Sequence, residues 1–360
     1  MAILQVNVRP ANGFRRGSSP QRRERGTEVS PQADSDHNTL HNGTQPLPDS
    51  SPAEARPESS DPATPLWQRI VWTLMPSTTV GRAIVSATQR LEEAGSDTAH
   101  LDAQVILAHV LGVDRSWLFA HYDYKLSAAQ ANAYTELVAR RVASEPVAYI
   151  VGRKEFYGLE FVVDRRVLIP RPETELLVDA VLDHIQTRPD PRVRMADVGT
   201  GSGAIAVAVA ANCPTAQIYA IDLSPDALAV ARQNVARLDT RGQITLLQGD
   251  LLAPLPEAVD IIAANLPYIR QDAYDTLDAG IREYEPRLAL EAGEAGLDAI
   301  ERLLAQAPSR LRPGGVIFLE IGHDQGEAVL AAVERLIPNA SYVGIRQDYH
   351  GHDRLLTLRI

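Results

Sequence analysis

Met195-Ala196-Asp197-Val198-Gly199-Thr200-Gly201-Ser202-Gly203-Ala204, continuing as an alanine- and valine-rich run to Ala211, reads as a strand that breaks into a glycine loop and re-enters a helix. Glycines let the backbone turn sharply and approach a ligand closely, and the N–H groups at a helix start favour polar ligands. A nucleotide-like cofactor fits such a turn. Gly201-x-Gly203-x-x-Ala206 also satisfies the dinucleotide fingerprint of dehydrogenases, so the loop alone leaves two cofactor classes open.

Downstream of about residue 190, short apolar runs alternate with helical stretches, the signature of a parallel sheet covered by helices. Seven strands are implied, at 193–198, 217–221, 244–248, 259–264, 316–321, 342–345 and 355–360. Asp222 closes the second of these, where an acidic side chain accepts hydrogen bonds from ribose hydroxyls. Asp250, after the third, falls on the same edge of the sheet and with Leu251 is placed to border an adenine.

The fourth strand separates the cofactors, because Asp260-Ile261-Ile262-Ala263-Ala264 runs directly into Asn265-Leu266-Pro267-Tyr268. An amino group conjugated to a carbonyl or an aromatic ring is a poor nucleophile. The side-chain oxygen of Asn265 and the backbone oxygen of Leu266 form an acceptor pair for its two N–H bonds, aiming the nitrogen at a sulfonium methyl. Pro267 stiffens that turn, and Tyr268 offers a face on which a planar group stacks. No base is needed before transfer, since the nitrogen's proton becomes acidic only afterwards. Hydride chemistry would call for a Tyr-x-x-x-Lys dyad. The chain's lysines are Lys125 and Lys154, and neither follows a tyrosine by four positions.

Upstream, residues 79–143 carry a helical period, with Val80, Ile84, Ala87 and Leu91 on one face and Leu101, Val105 and Ala108 on another. Ser127 and Gln130 form a capping box for a helix burying Tyr134, Leu137 and Val138. The stretch 145–167, with alternating Leu159, Phe161 and Val163, reads as a connecting hairpin. Residues 1–65 are rich in Pro, Ser, Gly, Asn, Asp and Arg without any apolar period, the composition of a disordered tail. Its early arginines admit a transit peptide, against which stand acidic residues from Glu24 onward, and Met75 offers an alternative translation start.

The 360 residues divide on this reading into a disordered tail (1–65), a helical substrate-docking domain (66–144), a linker (145–189) and an α/β domain (190–360). A net charge of −11 argues against a phosphate-backbone partner, and outside the tail 28 basic residues still face 38 acidic ones. The single cysteine, Cys213, forms neither an internal disulfide nor a zinc site and suits a reducing compartment. No apolar run is long enough to span a membrane. The expectation is a cytoplasmic monomer.

With these residues in view, the chain from about residue 78 onward resembles the HemK/PrmC family, the peptide chain release factor glutamine methyltransferases. The likeness extends beyond the cofactor loop to Glu145-Pro146-Val147-Ala148-Tyr149-Ile150-Val151-Gly152, Glu155-Phe156-Tyr157-Gly158-Leu159 and Ile169-Pro170-Arg171-Pro172-Glu173-Thr174-Glu175. Tyr284-Glu285-Pro286-Arg287-Leu288-Ala289-Leu290 and Asp348-Tyr349-His350-Gly351-His352-Asp353-Arg354 are also similar.

The resemblance implies a class I methyltransferase fold, a Rossmann-like seven-stranded sheet whose last strand is antiparallel, behind an N-terminal helical bundle. It implies S-adenosyl-L-methionine as cofactor, held by Gly199, Thr200, Gly201, Ser202, Gly203, Asp222, Asp250, Leu251 and Asn265. The substrate it implies is the glutamine of the Gly-Gly-Gln loop of class 1 release factors, met by Asn265, Leu266, Pro267 and Tyr268. Because the family places the Arg-Pro-Glu-Thr-Glu stretch beside the cofactor, Arg171 and Glu173 are secondary site candidates, joined by Asp197 before the glycine loop. No metal is implied. One departure stands out, Leu266 where the family usually has proline. Asn-Leu-Pro-Tyr is also typical of enzymes that methylate adenine N6 in ribosomal RNA, which makes that activity the alternative, beside a ribosomal-protein glutamine methyltransferase and a cofactor-binding adaptor without catalysis.

Overall fold

The computed structural model describes residues 78–239 and 241–360. The tail and the Met75 start lie outside these residues. The chain first forms α1 (Val80–Glu93), α2 (Ala99–Leu111), α3 (Arg115–Ala120), α4 (Ala128–Val142) and α5 (Val147–Val151), then the hairpin β1 (Arg153–Phe156) and β2 (Leu159–Val162). A 3-10 turn at Pro172–Thr174 leads into α6 (Glu175–Thr187). There follow β3 (Arg194–Val198), α7 (Ala204–Asn212), β4 (Gln217–Asp222), α8 (Pro225–Leu238), β5 (Ile244–Gln248) and β6 (Val259–Ala264). Last come α9 (Asp298–Gln306), β7 (Leu311–Glu320), α10 (Gly326–Leu336), β8 (Tyr342–Gln347) and β9 (Asp353–Arg359).

Local chemistry sets the first helices. Thr79 caps α1 through its hydroxyl, Ser127 and Gln130 complete the expected capping box on α4, and Gly112 ends α2 in the left-handed conformation. Val80, Ile84, Ala87 and Leu91 are buried as the period predicts. On the second face Ala108 is buried as expected, but the rest differs. Leu101 is exposed and Val105 only half-buried, while α2 turns Asp102, Ala103, Ile106 and Leu107 inward. Asp102 pulls the helix round, because its carboxylate accepts from Ser96 and Thr98 and pairs with Arg141 at 2.8 Å, so an acidic residue lies on the buried side.

The linker also differs from expectation in extent. Its hairpin spans only Arg153–Val162, and the residues before it form α5. Tyr157 and Gly158 both take positive φ at its tip, the two-residue turn that matches strand twist. Tyr157 is pinned by α6, its N–H donating to Glu175 and its hydroxyl to Asp179 at 2.7 Å.

The sheet order is β5-β4-β3-β6-β7-β9-β8. β3 to β7 run parallel, and β9 lies antiparallel between β7 and β8. All seven strands fall where the apolar runs predict. β7 starts earlier than expected, at Leu311, with Arg312–Gly315 looped out of register between the Val259–Leu311 and Ile261–Val316 pairs. β6 is buried along its whole length, and separate apolar cores cover the sheet's two faces. Since β4 lies on one side of β3 and β6 on the other, the chain reverses its winding at the carboxyl end of β3. That crevice is where open α/β sheets bind ligands.

Candidate active site

A cavity of about 310 Å³ opens there. Its floor comes from the ends of four adjacent strands: Val198, Gly199 and Gly201 after β3, Asp222 at the end of β4, Gly249–Leu251 after β5, and Asn265–Pro267 after β6. Arg166–Leu168 form one wall, and Pro286, Leu288 and Ala289 form another. The family-like segments meet at this second wall. Glu285, almost fully buried, pairs with Arg171 and accepts from the Ile169 N–H at 3.2 Å, stitching Ile-Pro-Arg to Tyr-Glu-Pro-Arg.

The glycine loop divides its labour. Gly199, at φ 73°, lies so close to the next motif that an added Cβ would stand 3.1 Å from Leu266 Cδ2 and 3.5 Å from the Asn265 carbonyl. Gly201 donates its N–H to Asp222 at 2.8 Å. Thr200, Ser202 and Gly203 are not cavity walls. The Thr200 hydroxyl turns inward to Asp197 at 2.6 Å, the Ser202 carbonyl accepts from Asn234 at 2.9 Å, and Gly203 backs onto Ala231. Asn234, fully buried on α8, also exchanges two hydrogen bonds with Val162 and so ties the hairpin to the loop.

Asp197 likewise lies beneath the site. Its Oδ2 takes both the Thr200 hydroxyl and the Ala206 N–H, while Oδ1 has no partner among the described residues, and burial pushes its carboxyl up to about 7. One N–H of the first turn of α7, that of Ala206, is thus already taken by the Asp197 side chain.

Asp222 stands in the wall with Oδ2 on Gly201 N and Oδ1 on Ser224 N at 2.9 Å, and burial raises its pKa. Each oxygen keeps lone-pair capacity for a further donor. Asp250 pairs with Arg302, and Leu251 is held at φ 50° against the cavity. Asp298 also lines it with no cationic partner among the described residues, whereas Arg166, Arg302 and Glu291 are paired, so the unpaired wall charges there are negative.

Asn265 donates Nδ2 to the Thr174 hydroxyl at 3.0 Å. Its Oδ1 and the Leu266 carbonyl accept nothing from the described residues, and both residues line the cavity. Thr174 in turn donates to Glu320 Oε2 at 2.7 Å, and Tyr268 donates to Glu320 Oε1 at 3.5 Å. Tyr268 therefore faces the buried Glu320 rather than forming a cavity wall, and burial, then the Glu320 charge, pushes its hydroxyl up to about 12. Arg171 and Glu173 also stand outside the cavity, Arg171 because Glu285 holds it and Glu173 because it is exposed.

Thr174, Glu320, Asn234 and the wall at 166–168 escape a reading by motif, and the segment at 286–289, though family-like, is not expected from its sequence to line the site. They act at the site through contacts between segments far apart in sequence, and the only signal for Thr174 is its place inside Arg-Pro-Glu-Thr-Glu.

This strand order, a glycine loop facing an acidic strand end, and Asn-Leu-Pro-Tyr at the crossover define a methyltransferase. Family models match at two places, a PrmC N-terminal domain over residues 82–152 and a methyltransferase small domain over residues 173–288. The release factor glutamine methyltransferase of Moorella thermoacetica is 42% identical over 277 residues, covering 77% of this chain and 96% of its own. That of Bordetella pertussis is 45% identical over 258 residues, with 71% and 93% covered, and that of Rhodopirellula baltica is 40% identical over 291, with 78% and 96% covered. The chain belongs to the release factor glutamine methyltransferase family.

Proposed function

We infer that this chain transfers a methyl group from S-adenosyl-L-methionine to the side-chain nitrogen of the glutamine in the Gly-Gly-Gln motif of class 1 peptide chain release factors. The observation that carries the reading is the pair of acceptors with no donor among the described residues, Asn265 Oδ1 and Leu266 O, on two residues that line a cavity whose unpaired charges are negative. When bound, the cofactor supplies an electrophilic methyl on a positively charged sulfur. Unpaired carboxylates suit that charge. Asp222 would hold the ribose hydroxyls, Gly199 and Gly201 would let the ligand approach the backbone, and Leu251 would pack on the adenine.

Two acceptors match the two N–H bonds of a primary amide, so Asn265 and Leu266 would hold a glutamine side chain with its nitrogen presented for attack. Leucine at position 266 preserves the backbone acceptor. Pro267 would keep the turn rigid, and Tyr268, held against Glu320, would anchor it from behind. Since a cytoplasmic partner with an exposed glutamine loop satisfies these contacts, neither nucleic acid nor an oligomer is needed. The test is peptide mass spectrometry of a release factor incubated with enzyme and cofactor. One added methyl on the Gly-Gly-Gln glutamine is expected, and label entering ribosomal RNA instead would give the adenine activity precedence.

A further inference from the structure

We propose that Thr174 and Glu320 are positioning residues that decide which end of the Asn265 amide meets the substrate. The proposal rests on the reading of Asn265 as the acceptor of the substrate amide. The two ends of an asparagine amide are almost equal in size and differ only in their hydrogen bonding: one accepts, the other donates. An inverted Asn265 would turn two donors toward a substrate nitrogen that also carries two.

Thr174 is 4% exposed and has one proton to give. It gives that proton to Glu320 Oε2 at 2.7 Å, so its lone pairs are what Asn265 meets, and Nδ2 binds there at 3.0 Å. Oδ1 is then the only end left for the substrate. The chain of bonds has a direction because an ionised carboxylate accepts and cannot donate. It joins the end of β7, the turn before α6 and the segment after β6, so three separate parts of the fold must assemble before the amide is oriented.

Protonation of Glu320 lifts this constraint. Its new O–H can donate to Thr174, freeing the Thr174 proton for Asn265 Oδ1 and turning the NH2 end outward. The groups facing Glu320 are Thr174 and Glu173 from the turn before α6, Tyr268 from the segment after β6, and Arg354 on β9. Burial outweighs Arg354 and holds the carboxyl at about 7. Turnover at saturating cofactor and substrate therefore falls as the pH is lowered through that value.

The experiment measures kcat, KM and S-adenosylhomocysteine affinity against a release factor for wild type, Thr174→Ser, Thr174→Val, Glu320→Gln and Asn265→Ala. Thr174→Ser keeps the hydroxyl and is expected within about threefold of wild type. Thr174→Val lowers kcat by about 10- to 100-fold, the value of a hydrogen bond in a charged network, with cofactor affinity unchanged. Glu320→Gln removes the acid limb of the kcat profile. This variant and Thr174→Ser keep the test decisive should Thr174→Val fail to fold. A Thr174→Val enzyme with full kcat, or an acid limb that persists in Glu320→Gln, overturns the proposal. Full turnover in Asn265→Ala would instead overturn the underlying reading of the site, whereas an inactive Asn265→Ala beside a fully active Thr174→Val would sink the relay alone.

Discussion

Replacing Asp222 with alanine tests the cofactor site most directly, because the carboxylate has two duties that different measurements separate. In the free protein it accepts the N–H groups of Gly201 and Ser224 at 2.8 and 2.9 Å. Losing it leaves both donors to water. The wall is only half-buried, so the cost to folding should stay near the lower end of the scale for unmade hydrogen bonds, about 1–2 kcal/mol. The ligand's loss adds to this, since hydrogen bonds to a charged group contribute about 1.5–3 kcal/mol, or roughly a 10- to 150-fold weaker Kd. Asp222→Asn should be intermediate, keeping one acceptor but setting an NH2 against the second backbone donor. Calorimetric titration with S-adenosylhomocysteine reads the ligand term, and melting of the free protein reads the loop term. If the melting temperature falls while affinity stays the same, Asp222 is only a brace for the glycine loop and the ribose assignment is wrong.

Asn265→Ala should lower turnover by about 10²- to 10³-fold, the scale for one preorganised polar contact, and change cofactor affinity far less; equal losses in both would refute a substrate-specific role. Leu266→Pro should cost only a few fold in kcat, because the Leu266 N–H donates to no described residue and the carbonyl stays in place. Asp197 and Glu320, each pushed up to about 7 by burial, take up protons in the folded chain at pH values where the unfolded chain has already lost them. Stability should therefore rise as pH falls from 8 to 6, and calorimetric melting should show the rise missing in Asp197→Asn/Glu320→Gln. A chain begun at Met75 should keep its cofactor affinity and melting temperature, and a large loss in either would give the tail a role in the fold.

The sheet was legible because each buried strand needs an unbroken apolar run, and the glycine loop because positive φ close to a neighbouring chain favours glycine at Gly199. Position along the parallel strands placed Asp222, Asp250 and Asn265 on one edge without any coordinates. Leu101 went wrong because hydrophobic periodicity has no way to see that Asp102 has partners waiting inside. Thr200 and Ser202, which the resemblance implies as cofactor residues, are buried, with the Thr200 hydroxyl turned to Asp197 and the Ser202 carbonyl held by Asn234. The hydrogen bonds from Glu320 to Thr174 and from Thr174 to Asn265 join residues 146 and 91 positions apart, and nothing local in any of the three segments announces them.

The placing of β9 between β7 and β8 has a consequence for how the molecule opens. Among the described residues β8 pairs with no strand but β9, so β8 and β9 form a hairpin joined to the rest of the sheet through β7, with Leu355, Leu356 and Leu358 of β9 packed into the cores on the two faces. Its outer strand is the more exposed, with Tyr342 and Val343 in solvent. Such a hairpin can detach as one cooperative unit at less than the full cost of unfolding, and amide exchange would show its hydrogen bonds opening together. The seam ends where Leu355 pairs with Glu320, so an opening that ran its full length would bring water to the carboxylate at the head of the Asn265 hydrogen-bond chain.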